Sequence, residues 1–165
     1  MEIIGYKCFN KDLTNRYKKQ LEVGKIYTAN GDVTFGNDGH GYHFCKNLED
    51  TLRYFDGMNE EISICLVKGT GDIVEYEDDY NGYYDIYSSE NIEILKELSR
   101  EEIILYGLNL NEIRVCRFIQ GFKLSNDEIE LFKEKFAKNT CVLKLIEYYQ
   151  LKNFDVFKTK TLFTK

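Results

Sequence analysis

The sequence predicts an α+β fold, with a mostly antiparallel, split sheet in residues 1–98 and a helical C-terminal extension in residues 99–165 packed on it. Two observations support this fold class. Short apolar runs rich in β-branched and aromatic residues, separated by Gly, Asn and Asp, fill the first part, whereas apolar residues recur at helical spacing in the second. The length of 165 residues suits one sizeable core with a small helical appendage.

The strands are predicted in chain order from the apolar runs and the turn residues between them. A first strand is expected at 2–9, and a short Ile-Tyr-Thr strand follows a turn at Gly24. The glycine-rich stretch 30–41 predicts a loop or hairpin around a short Val-Thr-Phe strand. Residues 60–68 predict a central strand that is covered on both sides, because apolar side chains occupy both of its faces.

The stretch after the central strand is expected to be interrupted twice. Gly69 and Gly71 predict a turn before the run DIVEY at 72–76. Residues 77–85 are dense in acids and tyrosines, and the run DIYSSENIEIL at 85–95 predicts a strand, a turn and another strand. The second half of the sheet is therefore expected to consist of several short strands.

Residues 41–55, GYHFCKNLEDTLRYF, combine a strand signal with a helix start. Tyr42 to Cys45 predict a short strand, and Asn47 followed by the acids at 49 and 50 predicts a helix N-cap. Sites are often built where a strand runs into a helix, so the side chains of this strand are the first functional candidates.

The C-terminal part is expected to be a small helical bundle, because its apolar residues recur every three or four positions. Four helices are predicted, at about 100–106, 111–121, 126–137 and 140–151. Ser99 with Glu102, and Ser125 with Glu128, match the capping-box pattern at the start of the first and third of these helices.

Charge and hydropathy argue against two classes of function, nucleic-acid binding and membrane insertion. The formal net charge is -6, and residues 56–98 carry 2 basic and 12 acidic side chains. Without a Lys/Arg cluster that has interleaved aromatics, direct nucleic-acid binding is disfavoured. There is no secretion signal and no apolar run of about 18 residues, so membrane insertion is not expected and a cytoplasmic location is predicted.

The five cysteines are expected to be free thiols, mostly buried, since they are odd in number, far apart and mostly inside apolar runs. A metal site is one alternative, with His40, His43 and Cys45 as ligands and Cys8 as a fourth. Cys45 as a nucleophile is another, but His43 lies two residues along the same strand, about 6 to 7 Å away at the backbone, and would contact it poorly.

The acidic, tyrosine-rich segment predicts a surface that binds a partner. Five tyrosines lie within twelve residues and are interleaved with acids: Tyr76, Tyr80, Tyr83, Tyr84 and Tyr87. The proposed contact residues are Glu77, Asp78, Asp79 and Tyr80. The same segment imitates a calcium-binding loop from Glu77 to Asp85, but Ser88 stands where such a loop needs a bidentate Glu.

Residues 5–98 resemble an uncharacterised domain that recurs in phage and bacterial mobile-element proteins. The matching pieces are GYKCFN at 5–10, LEVGKIY at 21–27, GYHFCKNLED at 41–50 and YSSENIEILKEL at 87–98. This resemblance implies a phage or prophage origin and carries no activity with it.

The chain more distantly resembles the ADP-ribosyltransferase fold, through residues 41–55 with Leu52 and Tyr54, and through IYSSENIEIL. The resemblance implies that Lys7 lies in the first-strand region that grips NAD. It also implies that residues 82–84, Gly-Tyr-Tyr, occupy the region of the catalytic Glu. An impaired or absent transferase activity is expected, because that carboxylate helps to stabilise the positive charge that develops on the ribose.

The sequence therefore favours a small cytoplasmic binding or regulatory protein over an enzyme, with a host or phage protein as its partner. The alternative is a protein that binds NAD or another nucleotide. Its expected ligand-binding residues are Tyr42, His43, Tyr83 and Tyr87. Any remaining catalysis would involve His43, Tyr42 and Lys7.

Overall fold

The computed structural model describes residues 1–15, 17–35, 40–76 and 85–151. The chain divides into two compact units, a sheet unit of residues 1–56 and 60–99 and a helical unit of residues 57–59 and 100–165. The predicted α+β class, with an antiparallel sheet and C-terminal helices, is confirmed.

Five strands form the sheet within these residues: β1 (Glu2–Asn10), β2 (Ile26–Thr28), β3 (Tyr42–Cys45), β4 (Ile62–Tyr76) and β5 (Ile86–Glu97). Every pairing is antiparallel. β4 pairs with β1 and with β5, and β5 also pairs with β3 and β2. The ring of strands closes from β3 back to β1 through a single register pair, Tyr6 with Cys45.

Two predicted interruptions are wrong, because β4 and β5 are long continuous strands. Gly71 has a φ of +79° and lies in a register shift between Thr70 and Ile73, so it forms an irregularity within β4 rather than a turn that ends it. In β5 the polar run Ser88-Ser89 is fully buried and pairs with a neighbour on both edges. The hydrogen-bonded ladders on both sides therefore override the local turn signal.

The expected Val-Thr-Phe strand is also wrong, because Val33 makes only an isolated bridge, to His40. The strand at 42–45 and the short helix after it are confirmed: α1 (Leu48–Thr51) continues as a 3₁₀ turn at Leu52–Tyr54. Asn47 is the N-cap residue, but its side chain donates to Asp50 Oδ2 at 3.0 Å instead of capping a backbone amide.

The core inside the ring of strands is apolar. It consists of Phe9, Leu21, Phe44, Cys65, Val67, Ile92 and Ile94. Phe44 packs over two strand glycines: a Cβ on Gly5 would lie 2.8 Å from Phe44 Cδ2, and a Cβ on Gly69 would lie 2.6 Å from Phe44 Cε1. Both positions therefore require glycine, because a side chain there would collide with the Phe44 ring.

The helical unit contains, among its described residues, α2 (Arg100–Leu108), α3 (Glu112–Gly121), α4 (Asn126–Lys135), α5 (Thr140–Leu145) and a π-helical segment at Ile146–Leu151. The four predicted helices are confirmed, with small shifts at their ends. The capping box of Ser125 and Glu128 is present at the start of α4. These helices are too short and too polar to cross a membrane.

The π-helical segment contains a buried amide that holds together the turn between α3 and α4. Gln150 Oε1 accepts from Leu124 N at 3.0 Å, and Gln150 Nε2 donates to Phe122 O at 3.0 Å and to Ile119 O at 2.5 Å. Phe118 and Phe132 stack beside this turn with ring centroids 5.7 Å apart. One polar side chain thus satisfies three backbone groups inside an apolar bundle.

Candidate functional site

A cleft opens in the sheet unit where β1 and β3 separate. The two strands meet at only one register pair, at the C-terminal end of β3, so the edge of β3 at residues 42–44 is not covered by a strand ladder to β1. The cleft has a volume of about 950 Å³ and is lined by β1, β3 and the segments around them. This volume is at the upper end of the roughly 300–1,000 Å³ that is typical of small-molecule sites.

Lys7 spans this opening. It projects from β1, and its Nζ donates a hydrogen bond to the backbone carbonyl of His43 on β3. Its ammonium also lies 5.8 Å from the centre of the Phe9 ring. The lysine therefore satisfies a carbonyl group at the edge of β3 and places a positive charge in the wall of the cleft.

His43 is held as part of an aromatic group. Its imidazole stacks on Phe35 with ring centroids 5.0 Å apart, and Tyr76 packs against Phe35 at 5.0 Å. Burial and the nearby charge of Lys7 lower the pKa of His43, against a hydrogen bond with the backbone of Thr34 that raises it. The imidazole is therefore neutral at pH 7 and offers a flat ring rather than a second cation.

The start of β3 depends on a glycine. Gly41 has a φ of +124°, and a Cβ at this position would lie 2.3 Å from Ser88 Oγ. Ser88 pairs with His43 across the β3–β5 ladder, and its buried hydroxyl has no hydrogen-bond partner among the groups that the structure describes. A side chain on Gly41 would strain the backbone and displace the strand that carries His43.

The charged residues of the cleft lining that the structure describes are all basic. Its basic residues are Lys7, Lys19 and Arg53, and no Asp or Glu occurs among the lining residues that lie in the described ranges. The whole chain, in contrast, has 28 acidic and 22 basic residues. This local excess of positive charge favours an anionic ligand, although the chain as a whole is negatively charged.

Tyrosines accompany each of the other two cations. Lys19 Nζ lies 5.2 Å from the centre of the Tyr27 ring and donates to the Tyr42 hydroxyl at 3.3 Å. The guanidinium of Arg53 lies 5.3 Å from the centre of the Tyr54 ring. The cleft therefore combines flat aromatic surfaces with cations along its wall.

The cysteines of the sheet unit are placed as core thiols. Cys8 and Cys45 are buried, and burial raises the pKa of each to about 12. Cys8 Sγ lies 2.9 Å from Thr51 Oγ1, which joins β1 to α1. A thiol with this pKa is protonated at pH 7 and is a poor nucleophile. No three His, Cys, Asp or Glu side chains in the described part of the chain are grouped as metal ligands.

Tyr87 is the remaining expected ligand-binding residue that the structure describes. Tyr87 packs on Phe44 with ring centroids 5.6 Å apart, and its hydroxyl donates to Glu75 at 3.2 Å. It is absent from the cleft lining, whereas Tyr42 and His43 are part of it. Tyr83 and the proposed partner-binding residues Glu77, Asp78, Asp79 and Tyr80 lie outside the described residues, so that surface stays a prediction.

Several lining residues were not expected as site residues from the sequence. Tyr6 comes from β1, Lys19 and Phe35 come from loops, and Arg53 comes from the 3₁₀ turn. Only Arg53 had a local indication, since it follows β3 on the short helical segment that the sequence predicts. The others are brought together by the long-range pairing of the strands.

The fold and this cleft define an α+β protein with a cleft at the opening of an antiparallel sheet, whose described lining residues are cationic and aromatic as well as apolar. The chain belongs to the family described as a domain of unknown function, DUF7666, whose model matches residues 3–106. That range contains all the lining residues of the cleft that the structure describes. Comparisons with curated proteins and with solved structures give no significant match.

Proposed function

We propose that the cleft between β1 and β3 binds a nucleotide. The observation that carries this proposal is the composition of the cleft lining, in which three cations and several aromatic rings occur without a carboxylate among the described lining residues. A nucleotide has the two matching parts, a flat aromatic base and an anionic phosphate.

Each part of the ligand has suitable partners on the cleft. Lys and Arg bind phosphate through charge-assisted hydrogen bonds, and Arg can do so with two donors at once. Tyrosine rings and the neutral imidazole of His43 offer stacking surfaces for a base. The absence of carboxylates from the described lining matters as much, because an acid in the wall would repel the phosphate.

NAD is the first nucleotide to test, since the resemblance to ADP-ribosyltransferases implies a dinucleotide. The proposed role is binding without group transfer, because Gly82, Tyr83 and Tyr84 stand in the region where the resembling enzymes carry their catalytic Glu. A regulatory protein that responds to a nucleotide fits this combination. The phage or prophage origin of the chain is part of the same proposal and rests on the resemblance over residues 5–98.

The test is isothermal titration calorimetry with NAD, ATP and AMP, and with adenosine as the ligand that lacks phosphate. We expect heat with the nucleotides and a markedly weaker response to adenosine, because adenosine cannot engage the lysines and the arginine. The nucleotides should also raise the thermal midpoint of unfolding, because a ligand at a hundredfold excess over its Kd stabilises the folded state by about 2.7 kcal/mol.

Charge-neutralising variants locate the site. Lys19→Gln and Arg53→Gln should each weaken nucleotide binding by about tenfold, which corresponds to the loss of one charge-assisted contact. Lys25→Gln is the matched control, because Lys25 is exposed, pairs with Glu22 and does not line the cleft. Equal losses in all three variants would indicate attraction to net charge alone. No heat and no stabilisation at millimolar nucleotide would contradict the proposed function.

A further inference from the structure

We propose that Cys116 and Cys141 are a reversible thiol pair that forms an intramolecular disulfide when the protein meets hydrogen peroxide or a small disulfide such as oxidised glutathione. This pair lies in the helical unit and is independent of the cleft and its ligand.

The two thiols meet between neighbouring helices. Cys116 lies on α3 and Cys141 is the second residue of α5, and these two helices are in contact. The Cys116 thiol is in hydrogen-bond contact with Cys141 and donates to the Glu112 carbonyl at 3.0 Å. The two thiols are therefore neighbours already in the reduced protein, as a disulfide between them requires.

Exposure separates this pair from the other three cysteines. Cys141 is exposed and Cys116 is partly exposed, whereas Cys8, Cys45 and Cys65 are buried in the sheet unit. Burial raises the pKa of each of these three thiols to about 12. In the folded protein an oxidant in solution therefore reaches Cys141 first, with Cys116 next to it as the resolving thiol.

The reaction balances with the named oxidants. Hydrogen peroxide converts the Cys141 thiol to a sulfenic acid and releases one water, and the Cys116 sulfur then displaces hydroxide from it, forming the S–S bond and a second water. Oxidised glutathione reacts by two successive exchanges and releases two molecules of reduced glutathione. Burial, followed by the effect of Cys141, raises the pKa of Cys116, so the closing step should accelerate as the pH rises.

The expected consequence is a covalent link across the helical unit. The bond would close a loop of about 25 residues that contains the whole of α4, and constraining such a loop favours the folded state by roughly two orders of magnitude in the unfolding equilibrium. Thiol reductants would reverse the link. The stability of the helical unit would thus depend on the redox state of its surroundings.

The test uses the intact chain, treated with hydrogen peroxide or oxidised glutathione under native conditions and analysed by mass spectrometry. We expect a monomer that has lost two hydrogen atoms, a proteolytic peptide pair joined through Cys116 and Cys141, and a raised thermal midpoint that dithiothreitol reverses. Cys116→Ser and Cys141→Ser should each abolish all three effects. Both positions have some exposure, so these variants are expected to fold, and a circular dichroism spectrum like that of the wild type checks this.

Three results would overturn the proposal. One is a disulfide-linked dimer through Cys141 in place of the internal bond. Another is direct oxidation of Cys141 to the sulfinic acid while Cys116 remains a free thiol. The last is an unchanged mass after treatment that fully oxidises a small dithiol in the same tube.

Discussion

The imidazole of His43 stacks on the ring of Phe35, with centroids 5.0 Å apart and planes inclined by 20°. This contact joins β3 to the loop before it and places the histidine against the cleft as a neutral ring. Lys7 donates a hydrogen bond to the carbonyl of the same histidine, and its charge lowers the pKa of His43, as burial does. The proposed base-stacking surface therefore depends on a histidine that stays unprotonated.

The low pKa of His43 predicts how stability changes with pH. The folded chain holds this proton less tightly than the unfolded chain, whose histidine has its usual pKa near 6.5. The unfolded state thus binds more protons as the pH falls below about 7, and folding stability decreases there. Thermal unfolding between pH 7.5 and 5.5 should show this loss in the wild type and a smaller loss in His43→Gln. Equal slopes in the two proteins would contradict the assignment.

The close packing of Phe44 on Gly69 predicts that replacing this glycine lowers the stability of the protein. In Gly69→Ala the new Cβ would lie 2.6 Å from the Phe44 ring, so the free energy of unfolding should fall by about 1–3 kcal/mol. Urea denaturation measures this loss. The same substitution made in a Phe44→Leu background should cost clearly less, because the smaller side chain leaves room for the methyl group. If the two losses are equal, the ring is not what excludes a side chain at position 69.

The hydrogen bonds of Gln150 predict a large effect in the helical unit. Gln150→Met keeps the length of the side chain but removes the acceptor for Leu124 N and the donor for Phe122 O. A buried backbone group without a partner should lower the free energy of unfolding by about 1–3 kcal/mol. Gln120→Met, on the exposed face of α3, is the matched control and should change stability by less than about 0.5 kcal/mol. Similar values for the two variants would show that the buried amide does not stabilise the turn.

Local signals in the sequence predicted most of the elements. The strand at 42–45, the helix after Asn47 and the capping box at Ser125 each follow from residues within a few positions of one another. The errors occurred where distant residues decide the outcome. Gly71 is a residue typical of turns, but β4 continues through it because β5 pairs with β4 on both sides of the irregularity.

The candidate site was only partly predictable for the same reason. Tyr42 and His43 were identified because they lie on a strand that leads into a helix. Lys19 and Phe35 were not, because nothing in their own segments marks them and only the folded sheet places them at the cleft. Tyr87 was expected to bind the ligand together with Tyr42, yet the structure packs it on Phe44 and bonds its hydroxyl to Glu75.

The most direct test of the nucleotide proposal is an amide ¹H–¹⁵N NMR titration of the full chain with NAD. We expect saturable shifts centred on residues 40–45, with further shifts at Lys7, Lys19 and Arg53, and little change in the helices from 100 to 151. An unchanged spectrum at millimolar NAD, or shifts confined to the helical unit, would contradict the proposal.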